Sequence, residues 1–492
     1  MVNPKSEILD QKYVLTLDIG TSSTRVMLFD EYARAVPGIS AQVKYSMRTT
    51  SDGGAEFDAD EILSCAERAI DDVLAQASNR SIAAVASDSL VSNILGVDGD
   101  GRAVTPVFTY ADTRNARQVD GLRARLDERT THQRVGTLFH SSYLPARFLW
   151  LARDDLQRAK YWMSLGEYFL YRWTGQRACS YSVASWTGLL NRQKLDWDDE
   201  LISLLPMTKS QLSPLVDYNH NVGRLRAEYA NRWSALRDAR FFPTIGDGAA
   251  ANIGSGCVDP SRIALTIGTS SAMRVTYRRR TSRVPWGLWS YSVNRELELL
   301  GGALSEGGEW LSWMRRNFQL PDGDAIEREL AAMPPDAHGL TLLPFLAGER
   351  APNWNADARA AIIGLSLNTR PIEILRAGLE SIAYRLGLIF ELVRDVAPKV
   401  QVVASGGALM NSPAWIQIIA DTFGVPVIAS AETEATSRGT ALLALRALGA
   451  IDALSDLPAQ TGVVFMPDAA RHTIYKRAME RQKWLYNAVV GS

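Results

Sequence analysis

The chain has 492 residues, more than one hydrophobic core serves, since cores stop growing at roughly 250–300 residues; about two domains are expected. It is 46% hydrophobic and 22% charged, and 53 Lys+Arg against 54 Asp+Glu leave a net charge of −1, which argues against bulk attraction to nucleic acid or an anionic membrane. Cys65, Cys179 and Cys257 form no CxxC or disulfide framework, MVNPKSEILDQKY is no signal peptide and no run of 18 apolar residues occurs, so a cytoplasmic protein is expected.

Taken in chain order, Tyr13–Leu17 and Arg25–Phe29 read as strands joined by the turn Ile19-Gly20-Thr21-Ser22-Ser23. Glu61–Ala77 is a helix with Ile62, Ala66, Ala69, Ile70, Val73 and Leu74 on one stripe. Ile82–Ala86 and Ile94–Val97 read as strands. Residues 120–240 are rich in Trp and Arg, mostly helical in pattern, and read as an insertion. A Gly/Pro cluster at 254–260 marks a boundary. Beyond it the turn string recurs as Ile267-Gly268-Thr269-Ser270-Ser271, 248 residues on and again between strand-like stretches, Arg262–Thr266 and Met273–Tyr277. Either two unrelated hairpins share a turn chemistry, or one nucleotide-binding domain is present twice. Pro371–Val393 opens with Pro at its first turn. Strand Gln401–Ala404, helix Ser412–Phe423, strand Val425–Ala429 and helix Ser437–Leu448 follow.

Three stretches carry chemistry. In Leu17-Asp18-Ile19-Gly20-Thr21-Ser22-Ser23-Thr24-Arg25, a strand-end carboxylate adjoins a turn of Gly and hydroxyls. Backbone N–H groups there suit phosphate and Asp18 suits Mg²⁺; no Walker A loop occurs anywhere. In Gly246-Asp247-Gly248, before an Ala-rich segment, Asp247 is either a helix N-cap or a general base at a cleft rim. In Ser405-Gly406-Gly407-Ala408-Leu409-Met410-Asn411, the glycines allow a ring or phosphate close to the backbone, or form an ordinary strand–helix turn capped by Asn411. Arg278, Arg279, Arg280 and Arg283 read as a solvated hairpin tip. The histidines show no metal-ligand spacing, and the tryptophans read mainly as packing, with Trp286, Trp289 and Trp310 toward the nucleotide side.

Together LDIGTSSTRVMLFD, TYADTR, IGDGAAANIGSG, LTIGTSSAMRV, GGALSEGG, LLPFLAGERAPNWNADARAAIIGLSL, ASGGALMNSPAWIQIIADTFGVPV and EATSRGTALLAL resemble the FGGY family of carbohydrate kinases, from about Tyr13 to Gly449. HSSYLPARFLWL and PFLAGERAPNWN look most like its gluconate-kinase branch. The resemblance implies an α/β fold of two actin-like (ribonuclease H-like) domains, 1–256 and 257–492, with the nucleotide/substrate cleft between them. It implies transfer of the ATP γ-phosphoryl group to a sugar, polyol or aldonate hydroxyl. Asp247 would be the base, and Asp18 and Asp247 would contact Mg²⁺. Phosphates would lie near Thr21, Ser22, Ser23, Arg25, Gly268 and Thr269, and adenosine against Gly406, Gly407, Ala408 and Asn411, with Glu309 and Trp310 nearby.

One departure stands out. Many members carry a Met-His or Arg-Glu pair where this chain has Val91-Ser92. Ser92, Asn93 or Asp88 are the available substitutes, and Ser92, Tyr143, Asp112 and Arg114 are the substrate-side positions to examine. A gluconate-like acceptor leads, held by an arginine not singled out by sequence. A pentulose or polyol kinase, or a non-catalytic actin-like regulator, are the alternatives. A homodimer is the assembly to test.

Overall fold

The computed structural model describes residues 13–77, 80–279 and 283–491; the N-terminal segment ahead of Tyr13 and Arg280 lie outside them. β1 (Tyr13–Ile19), β2 (Ser23–Phe29) and β3 (Ala35–Lys44) form an antiparallel meander. α1 (Ala59–Gln76) packs against β2 and β3 through its apolar stripe, and Asp58 caps it by accepting the Asp60 and Glu61 N–H groups at 3.0 Å. β4 (Ile82–Ser89), buried along its whole length, lies parallel to β1, as befits a strand covered on both faces. The chain then departs through α2 (Leu165–Thr174) and α3 (Tyr181–Trp186), returning as β5 (Arg240–Phe241) and β6 (Ile245–Gly246) beside β4 and into α4 (Asp247–Gly254).

The second half repeats the plan. β7 (Arg262–Ile267) and β8 (Ser271–Arg278) form a hairpin, and β9 (Trp289–Ser292) and β10 (Leu297–Leu304) extend it antiparallel. α5 (Gly308–Asn317) and α6 (Pro371–Val393) follow, then β11 (Gln401–Ser405), parallel to β7. α7 (Gly407–Met410) and α8 (Pro413–Phe423) lead to β12 (Val427–Ser430), and α9 (Ala435–Leu448) to β13 (Thr461–Phe465) and α10 (Ala469–Val489). The strand orders are β5–β4–β1–β2–β3 and β9–β10–β8–β7–β11–β12–β13. Each recurring Gly-Thr-Ser-Ser turn therefore joins the same two positions, in a sheet whose hairpin abuts a parallel strand. That shared placement favours duplication over coincidence.

Other expectations change. The segment 120–240 is less helical than its pattern suggests: short helices alternate with two-residue strand pairs such as Cys179–Ser180 with Leu215–Val216. It has an apolar cluster including Phe148, Trp162, Leu190 and Leu201, which explains why helical periodicity alone misjudged it. Arg279 is no solvated tip residue, since it donates to Glu298 at 2.8 Å. Five tryptophans, Trp162, Trp173, Trp233, Trp310 and Trp415, are fully buried packing groups.

The two sheets meet over a shared core. α9, from the second half, lies on β1 and β4 of the first sheet and crosses α4. Gly254 and Gly439 make that crossing: a Cβ on Gly254 would overlap the Ala435 carbonyl, and one on Gly439 that of Ala250. Val14, Ala84, Ala249, Ile253, Leu442 and Leu445 fill the seam. A cut at 256/257 separates the sheets but runs through this core.

Candidate active site

The first turn is a tight hairpin end. The Gly20 N–H donates to the Ser23 carbonyl at 3.0 Å, and the Tyr45 hydroxyl donates to the Gly20 carbonyl at 2.7 Å. Thr21 is half-buried and Ser22 exposed at its tip, while the Ser23 hydroxyl accepts from Gln42 at 2.8 Å. Arg25 was expected near phosphate, but its guanidinium pairs with Glu434 immediately ahead of α9 and also reaches Gln42. It is a strap between the halves.

Parallel pairing of β1 with β4 sets Asp18 directly beside Asp88. Asp88 is fully buried; its Oδ2 accepts from Thr440 on α9 at 2.7 Å, and its Oδ1 has no donor. Burial, then the Asp18 charge, push Asp88 well above the usual carboxylate range. Burial also raises Asp18, against the hydrogen bond with Asp88 and the Arg25 charge. Asp247 opens α4, with Gly246 and not Asp247 at the N-cap position; its Oδ1 accepts the Gly248 N–H at 2.6 Å. Burial raises Asp247 to about 6, with Asp18 adding to the rise and Arg274 opposing it. Asp18 and Asp247 offer oxygen donors of the kind a hard divalent cation takes together with phosphate oxygens, and among the described residues they do not converge with Asp88 into a ready-made ligand cluster.

The second turn is buttressed from behind. The Gly308 N–H donates to the Gly268 carbonyl at 2.7 Å, and the Glu309 N–H to the Thr269 carbonyl at 3.1 Å. Added Cβ atoms on Gly307 or Gly308 would meet the backbone of residues 268–270. The GGALSEGG loop, which showed no chemistry in sequence, is thus the seat of this turn. In front lies a cleft of about 860 Å³ lined by Gly268, Thr269, Gly407, Ala408, Asn411 and Ser412, with Leu311, Arg315 and Leu375 opposite. Gly407 and Gly268 present open backbone, with no atom within 4 Å of an added Cβ. Gly406 serves otherwise: its φ of 93° and contact with the Ile267 backbone lock β11 against β7. Asn411 does not cap α8, because Ser412 does, its hydroxyl accepting the Trp415 N–H at 3.3 Å. Trp310 is buried against α6, and Glu309 pairs with Arg316 at 2.5 Å.

On the other side of Asp247, the Val91-Ser92 departure is filled structurally. Ser92 is buried at φ 54° and its hydroxyl donates to the Trp186 carbonyl at 2.6 Å, so its proton is already committed. Asn93 donates to the Leu90 carbonyl at 2.6 Å and accepts the Leu165 N–H at 2.7 Å. Asp112 and Arg114 belong to an ion-pair network with Glu56 and Arg147. Tyr143 is buried, its hydroxyl 2.6 Å from that of Tyr291, and Tyr291 stacks on Trp186 at 3.6 Å. Sequence reasoning missed four residues here. The Arg350 charge acts on Arg274, both act on the Tyr291 hydroxyl, and Tyr110 senses both Asp247 and Arg350. Trp186 flanks Gly246 and Gly248. For Arg274, Arg350 and Tyr110 the signals were present in LTIGTSSAMRV, GERAPNWN and TYADTR, but what each side chain met was not, and Trp186 lay outside these strings.

Comparison with known proteins follows the same lines. The N-terminal domain model of the FGGY family of carbohydrate kinases matches residues 13–254 and its C-terminal domain model residues 263–448. A gluconokinase of Bacillus subtilis is 27% identical over 468 residues, covering 91% of each chain. The crystal structures of a gluconate kinase and a ligand-bound xylulose kinase, both from Lactobacillus acidophilus, each superpose with a TM-score of 0.91. Each has 27% identity and covers 98% of this chain and 99% of its own.

Proposed function

The chain belongs to the FGGY family of carbohydrate kinases and is an ATP-dependent sugar kinase, and from that premise we propose that its acceptor is an aldonate such as gluconate, with Asp247 as the base. One observation carries the reading: Asp247 opens α4 within electrostatic reach of Asp18, Asp88 and Arg274. Phosphoryl transfer asks a protein for positioning, charge neutralisation and one group to take the hydroxyl proton. With an upward-shifted value of about 6, Asp247 is still mainly ionised at neutral pH and ready to accept that proton. The turn at Thr21, Ser22 and Ser23 and the turn at Gly268 and Thr269 offer backbone N–H groups and hydroxyls to the phosphates. Gly407, Ala408 and Asn411 line the cleft for adenosine, and the open face of Gly407 lets a flat ring lie on the backbone. Asp18 and Asp247, backed by Asp88, would hold Mg²⁺, which supplies neutralisation of the phosphate charge. Closure of the halves over both ligands would exclude water as a competing acceptor.

The test is ADP release from Mg-ATP across aldonates, ketoses and polyols. Stimulation by gluconate above the ATPase background is the expected result. Turnover of a pentulose instead selects the second reading, which the equal likeness to a xylulose kinase structure keeps in view. No stimulation by any acceptor would favour a non-catalytic regulator. In the same assay Asp247→Ala should lower transfer by at least about 100-fold while ATP still binds; lost ATP binding would make Asp247 structural.

A further inference from the structure

We propose that Arg274 is the anchor for the carboxylate of the acceptor, with Arg350 completing an anion-binding wall beside the Trp186–Tyr291 stack. This deepens the aldonate reading and rests on it. Side chains alternate along a strand, so Ala272 and Arg274 of β8 face the same way. Arg274 reaches across to the first half of the molecule, where its Nε would stand 3.4 Å from a Cβ placed on Gly248, with the Trp186 ring bordering the same point. Its Nε is buried and has no hydrogen-bond partner.

Among the described residues, the other deeply placed arginines are neutralised. Arg147 pairs with Asp112, Arg192 with Glu298, Arg376 with Glu380, Arg385 with Glu349 and Arg438 with Glu432. Arg274 makes no ion pair, Asp247 included, and the Arg350 guanidinium, which likewise makes no ion pair, lies 5.9 Å from the centre of the Trp354 ring. A guanidinium nitrogen shut off from water without a partner is costly, and the planar fork it belongs to matches a carboxylate. Such a group beside Gly248 and Trp186 is therefore complementary to an anionic ligand.

That ligand is the acceptor and not the phosphates, by position along the strand. Arg274 lies three residues into β8 from Ser271, roughly 10 Å of strand beyond the phosphate turn. Its neighbours are Gly248, Trp186, Tyr291 and Arg350, none of which lines the nucleotide cleft. Gly248 adjoins the base. An acceptor carrying a carboxylate at one end and a hydroxyl at the other would span Arg274 and Asp247, so the wall selects sugar acids over their uncharged counterparts.

The experiment compares Arg274→Gln and Arg274→Lys with the unaltered protein, using sodium D-gluconate and D-glucitol, its uncharged alditol. Two readouts are needed: kcat and KM for each acceptor, and calorimetric binding of gluconate without nucleotide. The expected result is a fall in the gluconate-to-glucitol ratio of kcat/KM by roughly 10- to 100-fold in Arg274→Gln, chiefly through KM, with gluconate binding weakened in parallel. Arg274→Lys, which keeps the charge but loses the fork, should fall between. A thermal melt with ATP identifies a variant that has failed to fold, and Arg274→Lys then decides. An unchanged ratio overturns the proposal, as does an equal loss of kcat with both acceptors, which would assign Arg274 to the transferred phosphoryl group. Turnover of an uncharged acceptor with no binding of gluconate also overturns it, leaving the kinase assignment intact. Gluconate binding that depends on Arg274 without any turnover would support the anchor and sink the catalytic reading.

Discussion

His140 and Arg350 illustrate how single residues near the cleft are set by their surroundings. The His140 Nδ1 accepts the Ser142 N–H at 3.1 Å, and burial, reinforced by the Arg350 and Arg123 charges, lowers the ring to about 4. An unfolded chain takes up this proton near 6.5, so the unfolded state binds more protons between those values. Stability is therefore full above about pH 6.5 and is lost as pH falls toward about 4, by up to about 1.4 kcal/mol per pH unit from this group. Urea midpoints at pH 7 and pH 5 should separate more in the unaltered protein than in His140→Gln; equal separation would show that the ring carries no such penalty. At the same scale Ser92 shows what the sequence concealed. Its position in the motif suggested a substrate contact, but its hydroxyl holds the Trp186 carbonyl and so fixes the ring beside Gly248. A residue's type gave its chemical capacity, and the partner consumed it.

At the scale of elements, glycines divide into those that seat backbone on backbone and those that leave room for a ligand. Gly254 and Gly439 are of the first kind, where α4 and α9 cross. Gly439→Ala should cost at least about 2 kcal/mol through overpacking at the seam, seen as a lower denaturant midpoint; an unchanged midpoint would mean the crossing is loose. Gly268 is of the second kind, since an added Cβ meets nothing within 4 Å. Gly268→Ala should leave the melting temperature unchanged and raise the KM for ATP on the order of 10-fold, the scale of one misplaced methyl group. An unchanged KM would put the phosphates elsewhere. Local sequence does not say whether a glycine such as these faces a carbonyl or open space. Helix limits were more legible: Pro371 to Val393 is a helix over that whole span, because a Pro start and a long apolar stripe are local signals. The segment 120–240 was less so, since its short helices and two-residue strand pairs are fixed by packing on Phe148, Trp162 and Leu190.

At the scale of the molecule, the shared seam predicts cooperative behaviour. Leu442 of α9 is fully buried in a cluster that includes Val14, Ala84 and Ile253. Calorimetry should therefore show one unfolding transition, and Leu442→Ala should destabilise by about 2–5 kcal/mol without splitting it; two transitions in the unaltered protein would contradict a common core. What the sequence determined by itself was the repeated Gly-Thr-Ser-Ser turn, the strands around it, and Asp18 and Asp247 as the carboxylates of interest. These follow from local spacing, which chain neighbours alone dictate. Tertiary structure decided the rest: Asp88 beside Asp18 through parallel strand pairing, Arg25 diverted to Glu434, α9 laid across the first sheet, and Arg274 brought beside Gly248 from the opposite half. Each depends on residues that lie far apart in the chain. Only packing of two sheets against one seam, a long-range event with no signature in spacing, brings them together.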